Sequence, residues 1–418
     1  MADQFSNAQQ IRKPAVASKA GIIAAQSRKA AEVGVGVLAA GGDCVDAVIA
    51  TTFALGILEP WMSGVGGGGA MVLYRAQEDR YEVIDYGMCA PGSIRPDDYP
   101  LTDEGAASDL FPWARVKGDR NLHGPGSIAV PGVVAGMEEA HRRYAKLPWQ
   151  ELLRPSVDLA GQGLLVDWWT TLMITSSAAD LRRYPASADA YLVDGLPPNS
   201  QWGIKSSVRL PQERLKATLS YLAEQGPRDF YEGDLARSVA ADVQAGGGAL
   251  SADDLASFRA HLREPLAIPY RGGKVYATPE LTCGPTLAHA LRLLQKSLKP
   301  GPDAPDAATY TAYALSLQLD HHESGRDHRA LPGHEPLRRQ PATYAGCISR
   351  LPGASGAQRG RRARADHDAV GDAADVRRAA GHQHPQLHLA ALARLAEAGK
   401  PMPGPGEQLR RVRAGAKP

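Results

Sequence analysis

An α/β fold, with helices packed on sheet layers, is what this chain predicts. Two apolar helical segments follow one another near the N-terminus, at Ser27–Ala40 and Val45–Leu58. Strand-like stretches come next at Ala70–Tyr74 and Tyr81–Tyr86, and again far downstream at Lys274–Thr278. Helical periodicity returns between them, at Val133–Tyr144 and Glu151–Gly161. Helix and strand periods therefore share one chain.

The first segment, Ser27 to Ala40, is rich in Ala and Val and stops at Gly41-Gly42, a pair suited to a helix C-terminus. Asp43 can accept hydrogen bonds from first-turn amides and so cap the next helix. Both helices are apolar on more than one face, which predicts that both are buried. After Glu59-Pro60-Trp61-Met62, six of the seven positions from Ser63 to Gly69 are Gly or Ser. That loop leads into two strands joined by the polar loop Arg75–Arg80. No Lys-Ser/Thr follows the glycines, so this is not a phosphate-cradling Walker loop. Nor do they open a strand–turn–helix dinucleotide unit. Pro131 stands where a helix start tolerates it, ahead of Val133–Tyr144. Leu147-Pro148-Trp149 then breaks the pattern before the helix at Glu151–Gly161. Leu210–Leu255 reads as two or three short helices with Gly-rich caps, and Glu264–Pro279 as extended. No internal repeat is visible.

The chain has 418 residues, of which 44% are apolar and 22% charged, an ordinary balance for a soluble globular protein. A net charge of +2 argues against a polyanion binder, so nucleic acid is not an expected partner. Cys44, Cys89, Cys283 and Cys347 are far apart and form no C-x-x-C pair. They suggest neither a zinc site nor a disulfide framework, and a reducing compartment is the default. Met1–Ala20 is polar and lacks the apolar core of a signal peptide. The apolar run at Val48–Leu58 is interrupted by Thr51 and Thr52 and is too short to span a bilayer. The expectation is a cytoplasmic protein without a membrane partner; nothing indicates an oligomeric state.

The chain changes character near residue 320. All six Trp lie between Trp61 and Trp202, whereas eight of the twelve His lie after position 320. From Leu351 to Pro418 there is no Ile, Phe, Tyr, Trp, Thr or Asn. Such a stretch buries too little apolar surface to offset the entropy of ordering it. Two explanations stand: a natural basic tail without a fold, or GC-rich DNA read off frame. The second is favoured by the genetic code. Glu407–Gly415 can be encoded so that a reading one base later gives Asn-Asn-Tyr-Val-Val-Ser-Ala-Pro, and the same shift lets Gln358–Arg362 give Asn-Val-Val-Ala. The expected organisation is a polar segment at 1–20, one domain at 21–315, and an irregular stretch at 316–418.

Several motifs now form an ordered set. Gly41-Gly42-Asp43-Cys44-Val45-Asp46-Ala47, Ser63–Gly69, Val130-Pro131-Gly132 with Gly136, Phe230-Tyr231-Glu232-Gly233, Gly246–Leu250, and Glu264-Pro265 with Tyr270-Arg271-Gly272 occur in this order. Together they resemble the large subunit of γ-glutamyltranspeptidases over about residues 20 to 315. The resemblance implies an αββα sandwich of the N-terminal-nucleophile hydrolase type, here incomplete at its C-terminus. It implies a precursor that cuts itself before a Thr. The new N-terminal hydroxyl then attacks an amide, its own α-amine acting as base, and a Gly-Gly pair stabilises the oxyanion. The substrate would be a small amide or peptide of the glutathione type, with no metal or organic cofactor. Candidate substrate-binding residues are Ser63, Gly66, Gly67, Gly87 and Met88.

Two departures stand against that pattern. Typical members carry Asp-Gly-Arg-Glu-x-Ala-Pro, whose Arg grips a carboxylate of the substrate in bidentate fashion. Here the stretch is Asp85-Tyr86-Gly87-Met88-Cys89-Ala90-Pro91: Gly87 replaces the Arg and Met88 the Glu. This resembles the cephalosporin-acylase-like branch, unless a neighbouring cation such as Arg95 takes the role. The second departure lies at the cut. The nearest match to Thr-Thr/Ser-His-Leu is Ile348-Ser349-Arg350-Leu351. Ile348 has no hydroxyl, and Ser349, the candidate catalytic residue, is one position late: a vestige of the motif or a chance match. The chain as written is therefore expected to be inactive, and the alternative is a non-catalytic protein that binds ligands in the large-subunit cleft.

Overall fold

A computed structural model describes residues 16–106, 114–199, 207–280, 282–298 and 306–327. The chain divides into two compact units, the first reaching Leu266 and taking in Thr278–Thr282.

In the first unit, α1 (Arg28–Ala39) begins at Ser27 and α2 (Cys44–Leu58) at Asp43. Between them Gly41 takes a φ of +97°, and the Gly42 amide donates to the Val37 carbonyl at 3.1 Å. Asp43 Oδ1 accepts from Val45 N at 2.9 Å and Asp46 Oδ2 from Asp43 N at 2.8 Å, a reciprocal capping box. α2 is buried along most of its length, with Ile49, Phe53 and Ile57 in the core. α1 departs from the expectation of all-round burial. Only Ala30, Gly34 and Val37 are buried, and Val35 is 53% exposed. Its fully buried residues recur at one helical spacing, Val33 and Leu38 pack partly buried beside them, and Val35 lies on the outer face.

β1 (Gly69–Arg75) pairs antiparallel with β2 (Arg80–Tyr86), Val72 opposite Val83. The strands β3 (Leu101–Ala106) and β4 (Ala114–Val116) form a separate ribbon. Then come α3 (Val133–Tyr144) and α4 (Trp149–Gln162). Met71, Leu73, Ile84 and Tyr86 point to one side of the sheet, into the same core as Val134, Met137, Leu152 and Leu153. The alternation of inward residues on β1 is the period-2 pattern that marked it as a strand. Met71 and Leu73 are buried there while Val72 and Tyr74 are exposed.

A satellite follows: β5 (Leu164–Leu165), α5 (Trp168–Ser176), α6 (Ala178–Leu181), α7 (Pro185–Tyr191) and β6 (Arg209–Leu210). Leu164, Val166, Ile174, Leu192 and Leu210 form its own small core. Where two or three helices were expected there are four: α8 (Glu213–Gln225), α9 (Asp229–Glu232), α10 (Asp234–Ala245) and α11 (Ala252–Ser257). α9 and α11 are too short to show a helical period. β7 (His261–Arg263) completes the sheet in the order β1-β2-β7.

In the second unit, β8 (Leu266–Tyr270) and β9 (Gly273–Ala277) form a hairpin. Arg271 and Gly272 both have positive φ, as a two-residue turn of this kind requires. α12 (Gly284–Ser297) packs against α13 (Ala307–Asp327). Ser349 and Ile348 lie outside the described residues.

Candidate functional site

The Gly-rich loop is held from three sides. At its start the Glu59 carbonyl accepts from Met62 N at 2.9 Å and Ser63 N at 3.1 Å. On the α2 side, a Cβ added to Gly56 would lie 3.1 Å from Gly64 Cα, so helix and loop touch backbone to backbone. On the α3 side, the Gly67 carbonyl accepts from Gly132 N at 2.8 Å and Val133 N at 3.0 Å. These are orphan donors at a helix start, and the protein's own loop occupies them.

The loop then runs against the end of β2. A Cβ on Gly68 would lie 2.7 Å from Met88 Cγ and 2.9 Å from the Tyr86 carbonyl oxygen, so only Gly permits this approach. Gly132, just before α3, and Gly136 within it form a slot for Tyr86: a Cβ on the first would overlap the Tyr86 carbonyl, and on the second the Tyr86 ring. Burial pushes the Tyr86 phenol up to about 12.

Beyond Tyr86, the Gly87 amide donates to Asp85 Oδ1 at 3.0 Å. Asp85 is 7% exposed. Its Oδ2 lies 3.7 Å from Arg263 Nε, and Arg263 Nη1 lies 3.1 Å from Glu280 Oε1. The strand register brings this about: β7 places Arg263 opposite Val83 and His261 opposite Asp85. Cys89 and Val130 then exchange two backbone hydrogen bonds, at 3.4 and 2.8 Å. Arg95, the alternative cation, is engaged locally. Its Nη1 donates to the Gly92 and Ile94 carbonyls at 3.1 and 3.0 Å, in an exposed turn of its own.

The sequence-predicted residues thus fall into two places joined by one loop. Gly67 meets α3, and its neighbour Gly68 meets Met88, which brings the Gly87–Met88 turn and the loop together. Ser63 and Gly66 face elsewhere. With Phe53, Ile57, Val133 and Leu219 they line a cavity of about 210 Å³ with no charged side chain in its lining among the described residues. Close by, Glu59 is buried, and burial together with the Asp167 carboxylate raises its pKa. Sequence reasoning missed Asp85, Arg263, Glu280 and Gly68 as parts of the site. Gly68 carried a signal, since it sits inside the glycine run. The ion pairs carried none, because they join residues more than 170 positions apart or cross a short strand that no period reveals.

Among the described residues, no group of three or more His, Cys, Asp or Glu side chains is placed to hold a metal ion. No helix among them is long and apolar enough to cross a membrane. The arrangement supplies a shaped wall with an apolar thioether at Met88, a buried carboxylate, and a guanidinium flanked by two carboxylates.

Comparison with known proteins gives consistent relatives. The sequence profile of the gamma-glutamyltranspeptidase family matches residues 30–325. The acylase ACY 1 proenzyme of Pseudomonas sp. (strain V22) is 35% identical over 286 residues, 68% of this chain and 49% of that protein. The glutathione hydrolase proenzyme of Escherichia coli (strain K12) is 30% identical over 270 residues, 64% of this chain and 44% of that protein. The crystal structure of cephalosporin acylase from Bacillus halodurans superposes with a TM-score of 0.63 at 25% identity, covering 77% of this chain and 57% of that one. The chain spans about half the length of the curated relatives it matches.

Proposed function

This chain belongs to the gamma-glutamyltranspeptidase family, and on that premise we propose that residues 21–315 are the large-subunit-like part of an enzyme that hydrolyses or transfers small-molecule acyl amides. Its fold is that of the N-terminal-nucleophile hydrolases. The acyl group would lie at the Gly87–Met88 turn, where the Gly-rich loop closes against β2. The observation that carries the reading is the absence of a cation at position 87, with Met88 seated on Gly68. A wall of this kind favours an uncharged acyl group over γ-glutamyl, because residue 87 carries no guanidinium to meet a carboxylate.

The reaction would follow the family: a hydroxyl attacks the amide carbonyl, the amine leaves with a proton, and water or a second amine resolves the acyl-enzyme. In the chain as written, Ile348 stands where that hydroxyl belongs, and Ser349 is the nearest substitute. That observation favours a second reading, a non-catalytic protein that binds acyl amides without turning them over.

One experiment separates them. The source DNA is resequenced across codons 310–418, and the chain is expressed both as written and with any restored frame. Each product is assayed with a γ-glutamyl anilide and an uncharged acyl anilide, and its N-termini are sequenced. A restored frame is expected to reveal Thr-Thr/Ser-His-Leu, self-cleavage and faster turnover of the uncharged anilide. Confirmed DNA, a single 44.4 kDa chain and binding without turnover would establish the second reading. Cleavage before Ser349 would make that residue the nucleophile. Preference for the γ-glutamyl anilide would sink the uncharged-acyl assignment.

A further inference from the structure

We propose that Glu280 sets the charge preference of the acyl subsite by holding Arg263 in an ion pair beside Asp85. The inference rests on the reading that the acyl group lies at Gly87–Met88. Three observations carry it.

First, Arg263 is within reach of that turn. Its Nε stands 3.7 Å from Asp85 Oδ2, and the other oxygen of the same carboxylate accepts the Gly87 amide at 3.0 Å. One carboxylate thus separates the guanidinium from the proposed acyl position.

Second, the guanidinium is committed but not satisfied. A separation of 3.7 Å is too long for a hydrogen bond, and Arg263 Nε is buried with no hydrogen-bond partner among the described residues. A guanidinium left in this state would gain from a planar carboxylate arriving with both oxygens. What opposes this is charge: Asp85 and Glu280 place two negative groups against one positive group, so a third carboxylate meets net repulsion.

Third, Glu280 is held in place. It sits at φ +58°, a conformation that a residue with a Cβ rarely adopts. The two residues before it are tied by the Thr282 hydroxyl, which donates to the carbonyls of Thr278 and Pro279 at 2.8 and 2.9 Å. Glu280, itself exposed, meets Arg263 from that anchored backbone.

Removing the Glu280 charge frees Arg263 to take an anionic acyl group. The subsite then changes from one that selects neutral acyl chains to one that accepts dicarboxylic acyl chains.

The test uses the full chain and its variants Glu280→Gln, Arg263→Gln and the double variant, titrated calorimetrically at low salt with glutarate and with valeramide. The expected result is a gain of about tenfold in glutarate affinity for Glu280→Gln. The gain should shrink with added salt and be absent from the double variant. Glutarate affinity that is unchanged in folded Glu280→Gln, or a gain that survives loss of Arg263, overturns the inference. Glu280→Asn is a second variant, since Asn tolerates positive φ, and must give the same direction. Valeramide separates the two claims. A glutarate gain with no variant binding valeramide supports the role of Glu280 and removes the neutral-acyl reading. Valeramide bound by all variants without a glutarate gain does the reverse.

Discussion

The hydroxyl of Tyr231 accepts a hydrogen bond from the Ala135 amide at 3.0 Å, and donates its own to the Pro131 carbonyl at 3.0 Å. Tyr231 is fully buried, and burial raises its pKa well above the usual phenol range. Its partners lie 96 and 100 residues away in the chain. With the Gly67 carbonyl on Gly132 and Val133, this hydroxyl supplies acceptors to three amides at the start of α3 from inside the protein. Tyr231→Phe keeps the ring and strands both partners. A loss of about 1–3 kcal/mol is expected, read as a lower urea midpoint. An unchanged midpoint would mean that the bond contributes nothing net.

Asp46 plays a comparable part at the other end of the motif set. It is 0% exposed and accepts from Asp43 N at 2.8 Å, Lys146 N at 3.1 Å and Leu147 N at 3.1 Å. The second Asp of the Gly41–Ala47 motif thus ties the start of α2 to the α3–α4 connection. Asp46→Ala takes the acceptor from three part-buried amides and empties a fully buried position. The expected cost is about 3 kcal/mol or more, enough for the variant to accumulate as aggregate at 37 °C. A melting temperature close to that of the parent would show the connection to be held by other contacts.

Gly136 gives a packing test with its own control. An added Cβ would run into the Tyr86 ring, and overpacking of this kind costs about 1–3 kcal/mol. Gly136→Ala is expected to destabilise by that amount in the parent and by less in a Tyr86→Leu background. The coupling is measured by a double-mutant cycle. Additive effects would mean that α3 moves away as a body rather than against the ring.

The pH dependence expected at Glu59 follows from a raised pKa, caused by burial and then by the Asp167 carboxylate. A carboxyl whose folded pKa is raised favours the fold when protonated. Its contribution is fully present below about 4.5 and is lost as pH rises through the raised value. Glu59→Gln removes the charge but not the shape. The variant is expected to melt higher than the parent at pH 7, with the difference closing at pH 3. A difference that does not depend on pH would assign the effect to something other than ionisation.

Much of the fold was legible because its elements are long and periodic. α2, β1, β2 and α3 appear where apolar spacing and the Gly, Asp and Pro signals put them. The misreadings have physical causes. α1 was expected to be buried because Ala and Val are apolar wherever they point, yet full burial is confined to the stripe of Ala30, Gly34 and Val37, with Val33 and Leu38 packed partly buried beside it. α9 and α11 are one-turn helices, and β5 and β6 are two-residue strands. Elements that short carry no period and exist because the surrounding core fixes them.

The residues by themselves determined the family, the position of the Gly-rich loop, and the exchange of a clamp cation for Gly87 and Met88. Those are local facts, written in residue type and order. Only the tertiary structure decided that Gly68 is the contact between loop and turn, that Arg95 spends its guanidinium on its own carbonyls, and that Arg263 and Glu280 stand behind Asp85. The reason is reach. A side-chain charge acts over a few ångströms of space, and strand pairing sets which distant charges come that close, independently of their separation along the chain.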